Sequence, residues 1–533
     1  MSGDFGGARL SGEDLLLTGG RIFADAEGSD PAEAMLVRAG RVEALGSAEN
    51  LWDRAGPSAP SIDLRGRVVL PGMIDAHTHV EFSAMARSEW LDVRGLTPDE
   101  VCERIGRAAV QRTDPDAWIV AQGTFLQPLP GREQLDAVSD GVPVLVRESM
   151  HRLQANTTAL RRAGMGHAAP TVSPGVVVHV DRAGVPTGAV DEGFHLFPVP
   201  ALPGHRLAAI LRSELRDAFA RHGVTTVYDI PASRGAVDAY GELATRGELP
   251  TRVTLTPVVA PGLSPLLERI DDWDPASFGD GIDSPFIAAG GIKIFIDGDN
   301  DHSFDESGLS VRPRNWGAVT RTLGGLREEL IWATRHDVQV WVHAIGDLAQ
   351  DLVLEAVEQA AARVGPPRLP TRIEHAGNLK LDAGLVARMR ELGVVPVPTA
   401  NFMSTDDGSG LYAYRSLIDA GFRPPGNSDT GGAIAEAPNP WFGIALMRLR
   451  RNRRGRPVAP DERATVLEGV RGYTADAAAV AGLDGIIGRL APGYAADFAV
   501  YDRDPRFLDP ESMTEAEAEM TYVGGRRTWQ RGS

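Results

Sequence analysis

The segment Val-Val-Leu-Pro-Gly-Met-Ile-Asp-Ala-His-Thr-His-Val (68–80) is an apolar run that ends in His77-Thr78-His79. It reads as one strand over 68–76. Side chains alternate between faces along a strand, so His77 and His79 point the same way. Two imidazoles on one face suit a borderline-soft cation such as zinc. The Pro-Gly-Met-Ile-Asp lead-in makes the pair far more specific than a bare His-x-His.

A second informative residue is Lys293. It is one of only two lysines, with Lys380, and arginine supplies the rest of the 54 basic residues. Arginine stays protonated and is a poor nucleophile, whereas a buried lysine loses its proton more readily and reacts. Lys293 lies in Gly-Gly-Ile-Lys-Ile-Phe-Ile-Asp (290–297), which reads as a buried strand ending in a carboxylate. An unpaired ammonium there is costly. Two readings stand side by side: an ordinary ammonium paired with Asp297 or Asp299, or a carbamate formed with carbon dioxide that bridges two metal ions.

Strand candidates follow one another at 68–76, 224–230, 252–259, 290–297, 338–344, 371–375, 393–400 and 424–428, with helical patterns between them. Such alternation predicts an α/β fold with a parallel (β/α)8 barrel. The interval from the first strand to the second is too long for one βα unit, so residues 81–215 are expected to hold an insertion with its own core. Residues 13–70 read as a β-meander, and the C-terminal segments 488–501 and 520–529 have the same texture. A helix over 461–480 is expected to close the barrel.

The histidine pair with its lead-in resembles the amidohydrolase superfamily. His-Ala-Ile-Gly-Asp (343–347), Arg-Ile-Glu-His-Ala (372–376), Pro-Thr-Gly-Ala-Val-Asp-Glu (186–192) and Tyr-Arg-Ser-Leu-Ile-Asp-Ala-Gly (414–421) narrow this to the YtcJ-like branch, amidohydrolase family 3, which includes N-substituted formamide deformylases. The resemblance implies a TIM-like barrel with ligands at the C-terminal ends of its strands. The implied set is His77, His79, Lys293 as a carboxylated bridge, His343, His375 and Asp429, holding one or two divalent ions, zinc foremost. It also implies a β-sandwich from both chain ends (1–67 plus 484–533), a metal-binding barrel (68–80 plus 216–483) and an insertion or lid (81–215). Segment 147–156 resembles a stretch with a substrate-proximal His and Asn, which brings in His151 and Asn156. Glu192, Asn401, Phe402, Phe125 and Trp90 complete the expected substrate contacts. Two segments depart from the pattern: Phe-Arg-Pro-Pro-Gly-Asn-Ser-Asp (422–429), with prolines where an apolar strand is usual, and Pro-Val-Pro-Thr-Ala-Asn-Phe (396–402).

The implied activity is hydrolysis of a C–N amide bond (an N-formyl or N-acyl amine or a cyclic amide) by a metal-activated hydroxide, with Asp429 carrying the proton. A deaminase or decarboxylase on the same scaffold, and a non-catalytic scaffold, are the alternatives. The formal net charge of −18 argues against a nucleic-acid partner. A small-molecule substrate, a homodimer and a cytoplasmic location are expected, and no segment reads as membrane-spanning or as a secretory signal. Cys102 excludes an intrachain disulfide by being alone, and its surroundings read as a buried helix. The arginines at 448–456 read as a solvated face.

Overall fold

The 68–80 segment makes two strands rather than one. Val68–Pro71 belongs to one sheet and β1 (Met73–Thr78) to another, with the break at Gly72. A β-carbon at Gly72 would overlap the Thr225 side chain, so only glycine lets the chain pass this close. The computed structural model describes residues 14–25, 27–28, 30–112, 114, 116–259, 266–298, 320–379 and 381–532; Lys380 and Asp299 lie outside them.

β1 pairs in parallel with β2 (Val224–Asp229), β2 with β3 (Arg252–Leu255), and β3 with β4 (Ile287–Ala289). A second parallel sheet runs β5 (Ile292–Phe295), β6 (Val340–His343), β7 (Arg372–Glu374) and β8 (Val395–Val397). Nearly all of their residues are buried, as parallel strands covered on both faces require. Helices Arg234–Thr245, Leu323–Arg335, Asp347–Val364 and Ala383–Leu392 fill the connections. This layering fits a TIM-barrel hydrolase.

Two expected strands come out differently. The fourth, expected at 290–297, comes out as the shorter β5, and a separate strand, β4, ends just before it at Gly290-Gly291. Side chains there would overlap Thr256 Oγ1 and the Gln339 carbonyl. The two sheets meet at this break, where Lys293 N donates to Pro257 O and Val259 N donates to Lys293 O, both at 2.9 Å. The eighth, expected at 424–428, forms no ladder, because Pro424 and Pro425 carry no N–H. The segment still lies along β1. Ala76 N donates to Gly426 O at 3.0 Å, Asp429 N to His77 O at 2.9 Å, and His79 N to Thr430 O at 2.9 Å.

The expected helix 461–480 starts only at Val466, behind a Thr465–Glu468 capping box, and carries a π-turn at Gly472–Asp476 before Ala477–Val480. The π-turn sets Tyr473 against the eighth segment, with its hydroxyl donating to Asn427 O at 2.7 Å.

Between β1 and β2 the chain builds a six-stranded sheet from segments within 91–191, with apolar clusters around Leu145 and Val146. The two chain ends meet in one sheet, where Phe498–Tyr501 pairs antiparallel with Val68–Pro71. That sheet shares a core (Leu17, Met35, Val69, Phe498) with a sheet from residues 15–63. Cys102 is helical but only half-buried. Within 448–456, Arg450 is fully buried rather than solvated, because its guanidinium donates to the carbonyls of Leu411, Tyr412, Val458 and Ala459. Among the described residues, no helix is long and apolar enough to cross a membrane.

Candidate metal centre

His77 is the penultimate residue of β1, and His79 sits at the N-terminal cap of α1 (Val80–Ser88). Both Nε2 atoms lie 3.4 Å from Asp429 Oδ1, and His375 Nε2 lies 3.5 Å from Asp429 Oδ2. His375 follows β7 directly, and Asp429 ends the proline-broken segment. Both hold left-handed backbone (φ 72° and 45°), a strained conformation for residues with a β-carbon and one concentrated at functional sites.

The electrostatics keep these donors in ligand form. Burial pushes His77 down to about 4 and His375 to about 3, toward the neutral imidazole that metal ligation requires. For Asp429, burial opposes the charge, but His77, His79 and His375 overcome it and hold the carboxyl well below its usual range. His77 Nε2, Asp429 Oδ1 and Lys293 Nζ are buried with no hydrogen-bond partner among the described residues. The ligand atoms of His77, His375 and Asp429 lie within 4.8 Å of one another. Orphaned nitrogen and oxygen donors converging in this way fit a divalent cation.

Lys293 is fully buried on β5, its Nζ 4.8 Å from the centre of the Phe295 ring. Burial pushes its ammonium down to about 8, against the pull of Glu374 and Asp429. The ordinary pairing with Asp297 is not made. Asp297 instead accepts from Ile345 N at 3.1 Å and Gly346 N at 2.8 Å. His343 packs edge-on against His375 with ring centres 4.7 Å apart, and its Nε2 lies 2.9 Å from Gly298 O rather than facing Asp429.

Sequence reading missed the groups that orient this cluster. Glu374 Oε2 is 2.6 Å from His77 Nδ1, which directs Nε2 toward Asp429. Arg372 clamps the same carboxylate through Nε and Nη2 (2.8 and 3.0 Å), donates to Ala76 O, and stacks on Trp341 at 3.8 Å. Burial works against the Glu374 charge, but Arg372 and His77 outweigh it and hold the carboxyl far below its usual range. The signal was present in Arg-Ile-Glu, since two charges two residues apart share one face of a short strand. Asp75 was missed too: it accepts from Ser428 N at 2.9 Å and so ties β1 to the eighth segment.

Beside Asp429 is a small pocket lined by Phe125, Met150, His151, Phe402 and the turn after Asp429. The Phe125 and Phe402 rings meet edge to face at 5.1 Å. Glu192 stands behind, with Oε1 2.8 Å from His151 Nδ1 and φ 55°. Three expected contacts lie elsewhere. Asn156 caps the helix Thr157–Arg162, and its amide is held by Val144 N, Ala159 N, Ser139 Oγ and Val142 O. Asn401 donates to Ser428 O and Ala437 O, supporting the pocket from behind. Trp90 packs against Phe82, Phe194 and Arg147.

The Amidohydro_3 family model, described as an amidohydrolase family, matches residues 61–529. The chain belongs to the amidohydrolase family. Membership makes this amidohydrolase a hydrolase acting on carbon–nitrogen bonds. It is 27% identical to YtcJ of Bacillus subtilis, over 96% of this chain and 99% of that one. It is 26% identical to the N-substituted formamide deformylase of Arthrobacter pascens, over 97% and 98%. A metal-dependent hydrolase from Pyrococcus horikoshii OT3 shares the fold with a TM-score of 0.72 at 20% identity, covering 94% of this chain and 99% of the other.

Proposed function

We propose that this amidohydrolase cleaves the C–N bond of a small amide, an N-formyl or N-acyl amine or a cyclic amide. The observation that carries the reading is the meeting of three imidazole nitrogens on the Asp429 carboxylate beside a buried Lys293 whose Nζ has no hydrogen-bond partner among the described residues. The printed activity of the Arthrobacter pascens relative supports the N-formyl case. In this reading the two parallel sheets and the 422–429 segment make a (β/α)8 barrel (68–80 plus 216–483). The chain ends (1–67 plus 484–533) make a flanking sandwich, and 81–215 is the insertion over the pocket.

His77, His79, Lys293 in its carboxylated form, His343, His375 and Asp429 would hold one or two zinc ions. An ion held there lowers the pKa of bound water toward neutrality and polarises a carbonyl oxygen. The remaining work falls to the chain. Glu374 holds the His77 tautomer, and Arg372 holds Glu374. Asp429, ionised and at the pocket wall, accepts a proton from the attacking water and passes it to the departing nitrogen. An amine leaves poorly unless protonated, so this transfer governs the second half of the reaction. Phe125 and Phe402 narrow the pocket and restrict water beside the reacting carbon.

Amine release from formamides, N-acyl amines and lactams, measured after loading with zinc and bicarbonate, tests the proposal. Release from at least one class, abolished by chelation, is expected. Metal-loaded protein that releases amine from none of them would overturn it.

A further inference from the structure

Arg147 ends the strand Val144–Arg147 of the insertion. Its side chain is fully buried, and Nε, Nη1 and Nη2 have no hydrogen-bond partner among the described residues. Among the described residues, no carboxylate pairs with it. The adjacent Glu148 turns its Oε1 to Leu126 N at 2.6 Å. Instead, three rings surround the guanidinium, with centres 4.3 Å (Trp90), 4.4 Å (Phe82) and 4.8 Å (Phe194) from its central carbon. Cation–π contacts offset part of the burial penalty, but ring faces offer no acceptor to five N–H donors. A charge buried this way is normally paired.

The surroundings point to a ligand that would do the pairing. Trp90 and Phe194 are only partly buried, so the cage has a side toward solvent. Phe82 lies on α1, one turn from His79. The chain leaving Arg147 reaches Met150 and His151, which line the pocket beside Asp429. Across the cage, Gly432 packs on the Phe82 carbonyl and Gln122 Oε1, while Gly431 lies against Met150. The cage and the pocket therefore share a wall. A planar guanidinium fork suits a carboxylate, which takes two parallel N–H bonds.

We infer that Arg147 is a binding residue for a carboxylate, so that the preferred amides carry an acidic group. The substrate class rests on the amide-hydrolase reading, whereas the anion site does not. In the metal-loaded protein, acetate followed by calorimetry is expected to bind once per chain. Arg147→Met lowers that affinity about tenfold to a hundredfold, the range for a hydrogen bond to a charged group. Arg147→Lys, a point charge without the fork, falls between. Equal binding by wild type and Arg147→Met, or binding of inorganic phosphate in place of acetate, would overturn the inference. Should the variants fail to fold, a wild-type crystal soaked in bromoacetate decides: a bromine peak beside the guanidinium supports the site, and peaks only elsewhere contradict it. The ratio of kcat/KM for N-acyl amino acids to that for neutral amides is expected to fall at least tenfold in Arg147→Met. An unchanged ratio contradicts the substrate class. If no amide is turned over at all, the hydrolase reading fails while the acetate titration still decides Arg147.

Discussion

The floor formed around β7 and the wall formed around the strand Val144–Arg147 each bury an arginine, and they treat it in opposite ways. In the floor, Arg372 grips Glu374 with two nitrogens, donates to Ala76 O and stacks on Trp341. In the wall, Arg147 meets three rings and no acceptor among the described residues. The floor arginine is committed to holding one imidazole in one orientation. The wall arginine keeps its donors free. Among the described residues, His77 Nε2, Lys293 Nζ and Asp429 Oδ1 in the floor and the Arg147 guanidinium in the wall are buried without a hydrogen-bond partner, as is the Nη1 of Arg372.

The strongest test of the floor is Asp429→Asn. It removes the carboxylate shared by three histidines, and activity should fall by about 10²–10⁴-fold, the range for a general acid–base group, in an amine-release assay with the circular dichroism unchanged. Next comes Arg372→Met. It leaves Glu374 buried with only the His77 imidazole, a loss of about 3–5 kcal/mol in denaturant unfolding. The double variant Arg372→Met/Glu374→Gln, which removes both charges, should recover part of that loss. Full additivity would break the claim that the two act as one unit. Glu374→Gln alone should weaken metal binding by about 10–100-fold in chelator competition, as losing the group that orients a ligating histidine does. The smallest effect is expected in the wall. Arg147→Met removes no hydrogen bond within the protein, and the relief of a buried charge opposes the lost ring contacts. Its unfolding free energy should stay within about 1 kcal/mol of wild type. A loss as large as that of Arg372→Met would erase the contrast between the two regions.

How far the sequence could be read follows the same division. Alternation along the strand puts His77 and His79 on one face, whereas His375 and Asp429 enter through the family resemblance; the structure brings all four together. Glu374 and Arg372 were quoted in a motif but not interpreted. Their roles depend on reaching across to β1, 297 residues away for the His77–Glu374 contact, and no local pattern carries that. The break between β4 and β5 at Gly290-Gly291 and the missing ladder at Pro424-Pro425 are written in residues that resist strand geometry, yet the groups that crowd Gly291 and Gly426, Gln339 O and the Tyr473 ring, lie far along the chain. In the insertion, Asn156 was read by likeness as a substrate contact. Its four hydrogen bonds make it a helix cap, which a lone Asn before Thr-Thr-Ala-Leu could also have suggested. Arg147 carried no signal at all, because a cage is assembled from residues 82, 90, 147 and 194.

Diffraction at the zinc absorption edge, from crystals grown with zinc and bicarbonate, tests the central claim most directly. An anomalous peak among His77, His79, His375 and Asp429 is expected, with continuous density from Lys293 Nζ into a carboxylate. An unmodified Lys293 beside a cluster that takes up no metal would contradict it.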